Sequence, residues 1–246
     1  RFKQLQHEKL KIIVPLPIPK KNTNDLVSKT DLVIDEYVKS ISKKAQDLFY
    51  KIQIPKANRI LIQSIRELRR SLLLKHDSVG RNIVLFFDAH LLSSGQAEAA
   101  NALLKILEEP PENTTLFLVT DHKELMLKTI LSRCQNIQIP RLPDNFILEW
   151  LIENDLDADT ADFIVGLSRG NIHQARNLSS HPVEETIGQV RSLVQTVVSQ
   201  SPDKWRTFTQ TYGKLAGHNP AEFKFHFSLM TLWFRGAYRL RKGVNT

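Results

Sequence analysis

Between Ile83 and Pro140, strand-length apolar runs alternate with helical patterns, and this alternation constrains the fold more than any other feature of the chain. The runs are 83–87, 115–119 and 135–139, separated by helical segments predicted over 96–108 and 124–131. Consecutive strands linked by single helices cannot pair as hairpins, so the pattern predicts an α/β sandwich around a parallel sheet. The first run ends in an acid, Asp88, at the carboxyl end of a strand, where ligands sit in open sheets of this kind.

Upstream, residues 11–19 read as a buried strand with a proline-fixed exit. Residues 20–31 are polar and read as an exposed loop, and Val33, Val38, Ile41, Ala45 and Leu48 give the next helix its apolar face. Ser64 and Glu67 have capping-box spacing, which predicts a helix starting at Ser64 with Arg66 at its second position. Arg66, beside free amides that already attract anions, and the adjoining Arg69 and Arg70 are candidate DNA contacts, against a solvated helix face as the plain alternative.

Beyond Pro140 and Pro143 the character becomes wholly helical. Short helices are expected over 144–153, 158–167 and 171–179, and longer ones over 183–200, 203–216 and 220–241. The expected domains are therefore 1–140, a partial α/β core, 141–180, a small helical domain, and 181–246, a second helical domain, complete or cut short. No internal repeat interrupts this order. The formal charge of +8 favours an anionic partner such as nucleic acid without requiring one. No apolar run is long enough to span a bilayer, and the first residues lack the apolar core of a signal peptide, so a cytoplasmic location is expected. A single cysteine excludes an internal disulfide or a multi-cysteine zinc site within these residues.

Three blocks fall in a specific order: the strand ending at Asp88, the helix Glu98-Ala-Ala-Asn-Ala-Leu-Leu-Lys-Ile-Leu-Glu-Glu-Pro-Pro111, and Thr129-Ile-Leu-Ser-Arg-Cys-Gln135. Leu-Glu-Glu-Pro-Pro followed at this distance by Ser-Arg-Cys resembles the AAA+ module of bacterial DNA polymerase III clamp loaders, and within that family the delta-prime type of subunit. The likeness is strong over about 50–180. It implies an AAA+ α/β core followed by a helical lid domain and a helical collar domain. In that family a phosphate loop and a zinc-binding cysteine module precede the segment where this sequence begins, so the resemblance places any zinc in that part and none here.

The resemblance assigns roles residue by residue. Asp88 occupies the magnesium-holding position of the nucleotide site, but the water-activating glutamate that follows it in ATP-hydrolysing members is Ala89 here. Thr120 stands at the γ-phosphate sensor (sensor 1), and His173 stands where hydrolysing members carry the sensor 2 arginine. No Gly-x-x-x-x-Gly-Lys-Ser/Thr sequence occurs. Arg133, by contrast, matches the arginine finger that reaches a neighbouring subunit's ATP, with Ser132 and Cys134 as positioning residues. A solvated charge is the plain reading of any isolated arginine.

Together these positions imply a subunit that assists hydrolysis without performing it. Such a subunit binds no cofactor itself, while ATP and magnesium are held by its neighbours. Its expected partners are the gamma/tau and delta subunits, the sliding clamp and primer-template DNA. It has no activity alone but belongs to a DNA-directed DNA polymerase, a nucleotidyltransferase, in DNA replication. Two alternatives stay open: a gamma/tau-type ATPase truncated before its phosphate loop, and a non-replicative AAA+ DNA-binding scaffold.

Overall fold

The computed structural model describes residues 5–18, 26–73, 80–199 and 201–243, the side chains of 26–32 excepted. The chain divides into two compact units, Arg1–Gln138 and Ile139–Thr246.

In the first unit, strands β1 (Leu10–Ile13), β2 (Asn82–Phe86) and β3 (Thr114–Leu118) form a wholly parallel sheet in that order. Leu10 lies opposite Ile83, and Phe86 opposite Leu118. Helices α1 (Leu26–Gln46) and α2 (Ile62–Leu73) connect β1 to β2, and α3 (Glu98–Glu108) connects β2 to β3. Side chains alternate across a strand, so the two faces of the sheet feed separate cores. Val84 and Phe86, both fully buried, pack with Ile65, Leu68 and Leu72 of α2 and Ala99, Leu103 and Ile106 of α3. Ile12, Val14 and Phe87 turn the other way, onto Tyr37 and Ile41 of α1 and onto Ile52 and Ile54. Each fully buried side chain of this kind contributes about 1.5–3 kcal/mol relative to an exposed one.

Four expectations change. Residues 135–139 are not a strand: a strand exists only by pairing, and no described backbone pairs with this segment, which leaves Ile137 and Ile139 exposed. The expected loop 20–31 is partly helix, since α1 begins at Leu26, while 19–25 lie outside the described residues. The buried face of α1 runs through Tyr37, Ser40 and Ile41, with Tyr37 Oη donating to the Ile12 carbonyl at 3.2 Å. Val38 is exposed and Leu48 lies beyond the helix end, because the sheet fixes α1 by Tyr37. The predicted helix 124–131 is broken: a 3₁₀ turn (Lys123–Leu125) precedes α4 (Lys128–Leu131), and extended backbone at Met126 swings that side chain into the core.

The second unit is helical throughout its described residues: α5 (Asp144–Glu153), α6 (Ala158–Ser168), α7 (Ile172–Ser179), α8 (Val183–Val198), α9 (Pro202–His218) and α10 (Pro220–Arg241). Helices α5, α6 and α7 pack on one another, as do α8, α9 and α10. Side chains of Asp157, Asn171 and Asn219 cap α6, α7 and α10 by accepting from free amides of the first turn. At the end of α6, Arg169 and Gly170 both take left-handed backbone, with φ of 50° and 75°. Leu142 N–H donates to the Gly170 carbonyl at 3.0 Å, and Arg141 Nη1 donates to the Arg169 carbonyl at 3.0 Å. No helix among the described residues is long and apolar enough to cross a membrane.

Candidate functional site

The carboxyl ends of β2 and β3 carry Asp88 and Thr120. Asp88 has left-handed backbone (φ 49°) and turns the chain into a 3₁₀ segment, Ala89–Ser93, whose first residue is fully buried. Ala89 N–H donates to the Val119 carbonyl at 2.9 Å, which ties the two strand ends together. Thr120 Oγ1 accepts the His122 amide at 3.0 Å and lies 3.0 Å from His90 Nδ1. The imidazoles of His90 and His122 meet edge to face at 4.9 Å, and His122 Nδ1 lies 3.2 Å from Glu124 Oε1. Burial holds His90 below the ordinary histidine range, against the opposing pull of Asp88. The Thr120 hydroxyl is thus engaged by its own strand ends. No group of three His, Cys, Asp or Glu among the described residues could hold a metal ion.

Arg133 lies just past the end of α4 and not at a strand start as expected, because 135–139 form no strand. Its Nη1 donates to the Thr129 carbonyl at 3.0 Å, and its Nη2 donates to Glu108 Oε1, on the last turn of α3, at 2.7 Å. The two side chains are 36% and 49% exposed, so the pair stands at the surface. Ser132 Oγ donates to the Thr129 carbonyl at 3.0 Å and closes the end of α4. Cys134 packs against the core, and burial pushes its thiol up, which disfavours the reactive thiolate.

Helix α2 begins at Ile62, two residues before the predicted start, so Ser64 is not its cap: its amide already donates to Leu61 O at 3.1 Å. Arg66 is therefore inside the helix, away from the free first-turn amides, which removes the helix-end argument for it. Arg66, Arg69 and Arg70 nevertheless share an exposed face opposite buried Ile65, Leu68 and Leu72. Sequence reasoning missed Arg59. A Cβ on Gly95 would lie 3.3 Å from its Nη1, and its buried Nε has no hydrogen-bond partner among the described residues, nor has the buried Ser93 Oγ. In the second unit, His173 lies in the first turn of α7, where its amide donates to the Asn171 cap at 3.1 Å.

Sequence reasoning also missed His90, His122 and Glu108. The adjacency of His90 to Asp88 at a strand end was a usable signal for the first. Nothing local announces Glu108, whose partner is twenty-five residues away.

A family described as DNA polymerase III, delta subunit, matches residues 25–143. Among curated proteins, the gamma subunit of DNA polymerase III from Buchnera aphidicola (of Schizaphis graminum) is 28% identical over 166 residues, 65% of this chain and 45% of its own length. The delta' subunit from Pseudomonas aeruginosa is 33% identical over 136 residues, 52% of this chain and 40% of its own. The delta' subunit from Escherichia coli K12 is 37% identical over 94 residues, 38% of this chain and 27% of its own. The chain thus spans less than half the length of these relatives. A solved structure of a gamma subunit-related protein from Thermotoga maritima overlays 93% of this chain and 76% of its own, with a TM-score of 0.40 and 19% identity. The matched region holds the Leu-Glu-Glu-Pro-Pro and Ser-Arg-Cys blocks, and over it the chain is similar to the clamp-loader subunits of DNA polymerase III, delta-prime, gamma and tau alike.

Proposed function

We propose that this chain is a delta-prime-like subunit of the clamp loader, one that does not hydrolyse ATP itself but presents Arg133 to a neighbouring subunit's ATP while the sliding clamp is loaded onto primed DNA. The observation that carries the reading is Arg133 itself: a surface guanidinium anchored at the end of α4 with donors to spare, in a chain whose own strand-end chemistry is poor. Ala89, fully buried, supplies no carboxylate to activate water, and the Thr120 hydroxyl is engaged by His90 and His122. A planar, permanently charged fork suits the charge that develops on a transferring γ-phosphoryl group.

The gamma relatives keep a second reading alive, a gamma/tau-type ATPase, because the Buchnera gamma subunit aligns over 166 residues against 136 for the Pseudomonas delta' subunit. Against it stands Ala89. The three arginines exposed on α2 support contact with the DNA backbone. The test is Arg133→Ala in a reconstituted loader. It should lower ATP turnover at the adjacent site about 10³-fold, the lower end of what arginine fingers supply. Assembly and ATP binding elsewhere should persist. Equal turnover with equal assembly would overturn the trans role.

A further inference from the structure

We infer that Glu108 is a positioning residue for Arg133: its carboxylate holds the guanidinium in the orientation from which it engages a phosphate on another subunit. The inference rests on the reading of Arg133 as acting in trans. Glu108 occupies the last turn of α3, next to Glu109 and just before Pro110-Pro111. A carboxylate at that end faces the negative pole of the helix and weakens the helix, so helix formation gives no reason for it. Its contact does. The 2.7 Å separation to Arg133 Nη2 is that of a charge-assisted hydrogen bond.

The second anchor comes from a different element, since Nη1 donates to the Thr129 carbonyl of α4. A guanidinium carries five N–H groups in one plane. Two anchors from two helices fix that plane, and the remaining N–H groups keep their directions without a protein partner among the described residues. A free arginine side chain would first have to surrender its rotamer freedom on meeting a phosphate. With Glu108 in place, part of that ordering has already been done. Exposure of both groups keeps the pair weak enough to yield as the phosphate draws the cation.

The experiment compares wild type, Glu108→Gln, Arg133→Ala and the double variant in the reconstituted loader, with Glu108→Asp as a conservative control. Glu108→Gln is nearly isosteric, so assembly and melting should match wild type. Its kcat for ATP at the adjacent site should fall about two- to five-fold, the range an exposed ion pair supplies, with KM unchanged. Glu108→Asp, a charge on a shorter stem, should recover part of the loss. The wild-type advantage should shrink as salt screens the pair. In the Arg133→Ala background, Glu108→Gln should do nothing more.

If Arg133→Ala is slow and Glu108→Gln is as fast as wild type, the positioning role is wrong and the trans reading stands. If Arg133→Ala is itself without effect, the trans reading fails and takes this inference with it. Faster turnover in Glu108→Gln would mean that the carboxylate restrains the arginine, and lost assembly would make Glu108 a structural residue. Either result overturns the inference.

Discussion

Gly170 sits where two independent penalties meet, and replacing it with alanine separates them from ordinary surface tolerance. Its φ of +75° lies in the left-handed region, where a Cβ costs about 1–2 kcal/mol. A Cβ built there would also collide with the Leu142 carbonyl oxygen and come within 2.7 Å of Arg141 Cβ. The chain would have to move where Leu142 N–H meets the Gly170 carbonyl, and forced overpacking of this kind costs about 1–3 kcal/mol. Gly170→Ala should therefore lose about 2–5 kcal/mol from the second unit. Gly170→Asn separates the contributions, since asparagine tolerates the backbone conformation but still carries the colliding atom. It should keep the larger part of the loss. Native-state hydrogen exchange suits the measurement better than one global unfolding curve, because a chain of two units need not unfold in one step. Amides of α6 and α7 should lose protection while those of β2 and β3 keep it. A loss under about 1 kcal/mol, the scale of an average substitution, or an asparagine variant as stable as wild type, would refute the argument.

Arg66→Ala should weaken DNA binding by the assembled complex for all sequences alike and flatten the slope of log affinity against log salt by about one; an unchanged slope returns the α2 face to solvent. Leu103→Ala, at a fully buried core position, should cost about 2–5 kcal/mol in denaturant unfolding, and a cost under 1 kcal/mol would mean that the core closes over the gap. His90 is held below the ordinary histidine value of about 6.5, so the unfolded chain takes up the proton first as pH falls. Its contribution to stability should be complete above that value and decline toward the lower folded one, and His90→Asn should remove that part of the pH slope measured by chemical denaturation.

The helices of the second unit were legible almost residue by residue, because their apolar positions repeat at helical spacing and their caps are local side chains such as Asp157 and Asn171. So were β2, β3 and α3, whose apolar runs end at Asp88, Thr120 and the proline pair. What failed depended on partners that sequence does not name. Residues 135–139 have the composition of a strand, but composition supplies no neighbour to pair with. Ser64 and Glu67 have the spacing of a capping box, yet burial of Ile60 and Ile65 draws the helix start back to Ile62. The Arg133 position could be read from its motif, whereas the Glu108 contact comes from the packing of α3 against α4.

Ile130, fully buried three residues before Arg133, acts as a peg for the arginine. Helix α4 is a single turn, too short to hold a course of its own, so its heading is set by how Ile130 seats among the side chains of α3 and the sheet. The arginine is the far end of a lever whose fulcrum is oil. Trimming a methylene near that fulcrum need not unfold anything to matter, since a displacement of about an ångström at a reacting group can cost a hundredfold in rate. Under the trans role proposed for Arg133, a core lesion in this polypeptide would first be noticed as a slow enzyme in another.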